Sequence, residues 1–223
     1  MPNQDLVQAV RKSLSPARLE TFEIATAARD DEDLAALDLY AWNARVSAAI
    51  LAPLHLCEIV MRNAIAEAIM QVYGQGWPWS PGFERSLPDP LREWSARKEI
   101  ASARRNFRAT GKVIPELKFV FWQNLMTQRH DLRLWVPFLH QVFPNLDRSV
   151  PVSHLRHGIY LDLKALRELR NRIAHHEPVL KRDLMADYQR MLRLVDQRCQ
   201  LTSAWMVGIC GDVPHLIEMR PGP

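Results

Sequence analysis

The stretch LRELRNRIAHHEP, from Leu166 to Pro178, gathers Arg167, Arg170, Asn171, Arg172, His175, His176 and Glu177. Histidine moves protons near neutral pH, as a base when neutral and as an acid when charged. Arginine keeps its charge and presents paired N–H donors to phosphate oxygens. Side by side, these types suit proton transfer at a phosphodiester. Asn171 and His175 are four residues apart and share a helix face, and Arg172 and His176 share the neighbouring one. Arg170 precedes His175 by five residues, about 140° around an ideal helix. A long arginine side chain, a distorted last turn or a second subunit must bring them together. His175 and His176 both remain open as the proton carrier, with His175 favoured because Asn171 lies on its face. The competing reading is structural, a helix C-terminus where cations are favoured. Metal chemistry fits less well. Adjacent histidines point to different sides of a helix, and His154-x-x-His157 has no identifiable third ligand.

The elements that must hold this stretch are helices. Only 8 glycines occur among 223 residues, against 15 prolines, which argues against glycine-rich phosphate loops and against the tight turns of a β-sandwich. Any phosphate contact must then come from side chains on helices. Ser15-Pro16 reads as the start of a helix running to about Ala28, and the cluster Asp30, Asp31, Glu32, Asp33 suits the positive end of the next. Apolar residues recur at helical spacing from Leu34 to Val72 with Gly74 as the stop, and Pro53 should kink that run or start a second helix. Residues 74–90 read as a Pro/Trp-rich loop. Further helices are expected over 90–110, with Gly111 as the residue that ends it, from Pro115, over 131–142, over 153–175 and over 183–204. The expectation is an all-α, single-domain bundle of seven or eight helices. Its parts are an N-terminal helical extension (1–29), a helical domain (30–205) and an irregular tail (206–223).

Composition narrows the class. Cys57, Cys199 and Cys210 are odd in number and far apart, so they read as buried small side chains and not as a disulfide framework or a metal knuckle. No run approaches ~18 consecutive apolar residues, so no membrane span is expected, and the chain reads as cytoplasmic. Net charge is only +4, but residues 92–118 hold eight basic residues against three acidic ones. Arg104, Arg105 and Arg108 lie in this region, which is either a solvated helix face or a surface for a polyanion.

Two charges fall inside apolar stripes. Glu58 lies among Leu54, Met61, Ile65 and Ile69, with Arg62 one turn on, and Arg170 falls among Ile159, Leu163, Leu166, Leu169 and Ile173. A local Glu58–Arg62 pair explains the first two. Burial of Arg170 would demand a partner, so Glu58 is expected to face it across the bundle, with Arg62 close by.

Arg170-Asn171-x-x-x-His175 resembles the Arg-x4–6-His signature of the HEPN superfamily, and RNRIAHHEP resembles the hallmark of the Abi-like (abortive infection) family within it. YAWNARVSAAILAPLHLCEIVMRNAI, from Tyr40 to Ile65, is similar to that family's Trp-Asn…Pro-Leu…Glu-Ile-x-x-Arg-Asn segment. GKVIPELKFVFWQNLM, from Gly111 to Met126, resembles its Gly…Leu-x-Phe-x-Phe-Trp segment, and Leu134-Trp135 its following Leu-Trp. The likeness covers roughly residues 33–195, and Val120 departs from it where the family often has glycine. It implies a HEPN-like helical bundle acting as a homodimer and cleaving RNA without metal or cofactor, where two copies of the motif meet. In that scheme His175 handles protons, Arg170 stabilises transition-state charge and Asn171 orients the histidine or a phosphate oxygen. Arg167, Arg172 and His176, with Arg104, Arg105 and Arg108, would hold the strand, while Glu58 and Arg62 give polar support. The implied role is defence or toxin-like growth arrest, with an antitoxin protein or a small RNA as a restraining partner. A non-catalytic RNA-binding or assembly module is the alternative.

Overall fold

The structure is a computed structural model and describes residues 3–27 and 34–222. The acidic cluster Asp30–Asp33 lies outside those residues. In order, the α-helices are α1 (Asn3–Leu14), α2 (Pro16–Thr26), α3 (Ala35–Tyr73), α4 (Pro81–Ser86), α5 (Ala96–Ala103), α6 (Thr110–Val113), α7 (Phe119–Leu125), α8 (Val136–Val142), α9 (Val152–Ala174), α10 (Leu184–Arg198), α11 (Gln200–Ile209) and α12 (Val213–Glu218). Short 3-10 and π turns join several of them, and no strand occurs among the described residues. The fold is all-α. Segments outnumber the seven or eight expected because several are single turns and because residues 183–204 split at Cys199, whose φ of −160° is extended.

The long helix α3 runs through Pro53 and does not restart there. Proline removes one backbone hydrogen bond, but Val46, Ile50, Leu54 and Cys57 around it are fully buried, and that packing carries the helix across the gap. Gly74, at φ +76°, ends it as expected, its N–H bonded to the Met70 carbonyl. By length and composition α3 is the one described helix long and apolar enough to cross a membrane. A run of consecutive apolar residues is a stricter criterion, because it admits none of the polar residues that a window average tolerates. In this fold the buried stripe of α3 is covered by α2, α8, α10 and α12.

The segment read as a Pro/Trp-rich loop is ordered. Ser80 accepts from the Phe83 N–H and Pro81 occupies the first turn, so α4 starts with a regular N-cap. Trp77 stands edge-on to Phe83 and to Trp122, which builds an aromatic core under the α3 C-terminus. The helix expected over 90–110 shrinks to α5 and a 3-10 turn, and Gly111 lies inside α6. The tail expected to be irregular carries the end of α11 and all of α12, and is tied to α3 where the Trp42 indole donates to the Leu216 carbonyl at 2.7 Å. Cys57 and Cys210 are buried as expected, and burial pushes both thiols up. Cys199 is half-buried, and hydrogen bonding with Thr202 lowers its pKa.

Helix α9 follows the sequence pattern closely. Ile159, Leu163, Leu166, Leu169 and Ile173 are all buried. Its N-terminal half is locked by Arg156, which is buried and paired with Asp131 through Nε at 2.9 Å and Nη2 at 3.2 Å. Its far end points the His–Arg stretch at solvent.

Candidate functional site

Helix α9 ends on a left-handed cap. His175 is the last half-helical residue, its N–H bonded to the Asn171 carbonyl at 2.9 Å. His176 then takes φ +56°, its N–H reaching Ile173, and the Glu177 N–H reaches back to the Arg172 carbonyl at 2.8 Å. This is the hydrogen-bond pattern of a Schellman motif, with histidine where glycine is usual. Three side chains hold the turn. The buried Asn43 of α3 accepts from the Val179 N–H at 2.9 Å. Arg172 donates to the Pro178 carbonyl at 2.9 Å and pairs with Glu177 at 3.6 Å. Arg18 of α2 donates to the His176 carbonyl.

The turn decides which histidine faces Arg170. A groove of about 460 Å³ is walled by α2, α3 and the end of α9, and its lining includes Tyr40, Ser47, Arg170, His176 and Glu177. His175 is exposed and does not line it. The distorted last turn therefore brings His176 to the groove that Arg170 lines, and the approach of Arg170 to His175 that the spacing left open is not made there. On its other side Arg170 lines a second groove of about 330 Å³ with Arg62, Lys118, Arg167 and Asn171. Asn171 and His176 thus line different grooves that share Arg170.

No family model, curated protein or solved structure matches this chain. The site is therefore read from its own geometry.

The expected Glu58–Arg170 bridge is not formed. Glu58 pairs with Arg62 one turn along α3, and both are largely buried. Arg170 is exposed and makes no ion pair or side-chain hydrogen bond among the described residues. The helical wheel placed it in the apolar stripe, but at this end of α9 the surface opens into grooves, so no partner is required. A charge free of internal partners is available to a ligand.

The other basic residues divide into struts and free charges. Arg104 donates to the Pro78 carbonyl and pairs with Glu84, both at 2.8 Å, so it braces the aromatic core. Arg97 donates to the carbonyls of Glu84, Arg85 and Leu87. Arg167 gives its Nε–H to the buried Gln123 at 2.6 Å and Arg172 holds the turn, so part of each guanidinium is committed internally. Arg105 and Arg108 are exposed and without partners among the described residues. The local charge excess of residues 92–118 is thus partly structural.

Sequence reasoning did not single out Asn43, Gln123, Lys118 or Arg18 as site residues. Asn43 carried a usable signal, an amide at core spacing between Leu39, Val46 and Ile50. Lys118 belonged to the basic stretch 92–118, but its place beside α9, like that of Arg18, is set only by the folded chain. No group of three metal-ligating side chains occurs among the described residues, and His157 stacks on Tyr160.

Proposed function

We propose that the chain is a metal-independent endoribonuclease of the HEPN type, acting as a homodimer in the cytoplasm with an abortive-infection or toxin-like defence role. The observation that carries this reading is the exposed, unpartnered Arg170 sharing a groove with His176 at the end of α9. A histidine removes the proton of a ribose 2′-OH as the 2′ oxygen attacks phosphorus. The P–O5′ bond breaks, and a protonated histidine returns a proton to O5′. Arg170 stabilises the extra negative charge of the pentavalent transition state, and Asn171 orients a phosphate oxygen from the neighbouring groove. The products are a 2′,3′-cyclic phosphate and a 5′-hydroxyl, and no step calls for a metal or cofactor.

His176 is the stronger candidate for the proton carrier within one chain, because His175 does not line the groove. Both histidines fit the Arg-x4–6-His spacing, and His175 keeps the helix face that it shares with Asn171. The test is cleavage of RNA in EDTA by wild type, His175→Ala, His176→Ala and Arg170→Ala, with analysis of the new ends. The two histidine variants separate the roles. The alternative is a non-catalytic RNA-binding module, and RNA retention without cleavage by wild type or any variant would identify it.

A further inference from the structure

Three grooves form one path. The groove beside His176 and the groove beside Asn171 share Arg170 as a common wall. The second shares Glu116 and Lys118 with a third groove of about 490 Å³, lined by α5, the turn after it and the residues leading into α7. This third groove is lined by Trp94, Lys98, Asn106 and Phe107 as well. Glu99 fixes its shape. The Trp94 indole N–H donates to one Glu99 carboxylate oxygen, and the Lys118 backbone N–H donates to the other at 2.5 Å. Both acceptors are therefore turned inward. Lys98 and Lys118 keep exposed ammonium groups with no ion pair among the described residues. Trp94 and Phe107 pack against the core on one side and line the groove on the other.

We infer that the third groove is a nucleobase subsite for single-stranded RNA, whose backbone runs from it past Lys118 and Arg167 to Arg170. The inference rests on the ribonuclease reading above and adds a substrate class to it. Aromatic side chains fixed at a groove wall bind a base only when it is unstacked, which a single strand offers and a duplex does not. Two free ammonium groups beside them suit the flanking phosphates. The Asn106 amide presents both a donor and an acceptor to a base edge. Glu116 disfavours phosphate at the junction and accepts from an exocyclic amino group, which places a base edge there and the backbone on the lysine side.

Fluorescence anisotropy with a labelled 2′-O-methyl oligoribonucleotide, which the proposed chemistry leaves intact, tests the subsite on the full chain. The same strand annealed to its complement serves as the duplex arm. Lys98→Ala and Phe107→Leu should each weaken single-strand binding roughly tenfold, and Lys98→Ala should lower the salt slope by about one. Duplex should bind more weakly than single strand. Lys98 is exposed, so its variant keeps the test free of folding effects. Wild-type binding with both variants unchanged, or equal affinity for duplex, overturns the subsite alone. Absence of any RNA binding by wild type overturns both the subsite and the ribonuclease reading.

Discussion

His176 adopts φ +56°, a conformation that costs a side chain about 1 kcal/mol relative to glycine. Helix α2 also ends on a left-handed residue other than glycine, Ala27 at φ +51°, so what sets His176 apart is the groove it shares with the unpartnered Arg170. His176→Gly is expected to keep the thermal stability or raise it by up to about 1 kcal/mol, while RNA cleavage is lost. A large drop in melting temperature would instead make the imidazole a structural cap. The residue types of this site were legible in RNRIAHHEP, but the pairing within it was not. Wheel geometry assumes a continuing helix, whereas α9 stops at Ala174 and the left-handed turn carries His176, not His175, to the Arg170 groove. The same wheel put Arg170 in the core, since it cannot say where the covering elements end.

At the scale of elements, the α9 cap is held to α3 by a single buried amide. Asn43→Ala leaves the buried Val179 N–H without its acceptor and should cost about 1–3 kcal/mol, several degrees in a chain of this size. Chemical denaturation of the variant checks this, and no loss would mean that another acceptor replaces the amide. The turn before α8 carries a pH-dependent contribution to stability. His130 is buried there, and burial, with Arg129 and Arg133 adding to it, lowers its pKa from 6.5 to about 4. The unfolded chain therefore takes up this proton before the native one does. Stability should fall as pH drops from about 6.5 to about 4, by roughly 3 kcal/mol from this residue, and level off below. His130→Gln should flatten that part of the stability profile, and an unchanged slope would sink the assignment. Long amphipathic helices such as α9 were legible because one apolar stripe settles their face. The Trp77–Phe83 core was not, because prolines in a short segment read as loop when the Ser80-Pro81 start signal is overlooked.

At the scale of the molecule, a net charge of +4 says little until its parts are sorted. Arg97 and Arg104 are committed to internal bonds and Arg167 and Arg172 in part, while Arg170, Lys118, Lys98, Arg105 and Arg108 remain for a ligand. Which charges are struts was not legible in the sequence, because their carbonyl and carboxylate partners lie up to 44 residues away. Scarce glycine did anticipate the all-α architecture, in which no glycine-rich loop is available among the described residues and candidate ligand contacts are side chains. The role of Arg170 is tested by a cleavage assay in EDTA with single-stranded RNA, comparing wild type with Arg170→Ala. Arg170 is exposed and unpartnered, so its loss should leave the unfolding free energy unchanged within about 0.5 kcal/mol. Wild type is expected to cleave and leave 2′,3′-cyclic phosphate ends, and the folded variant is expected to lose that cleavage. Wild type that leaves RNA intact, or an Arg170→Ala variant that cleaves as well as wild type, would contradict that role.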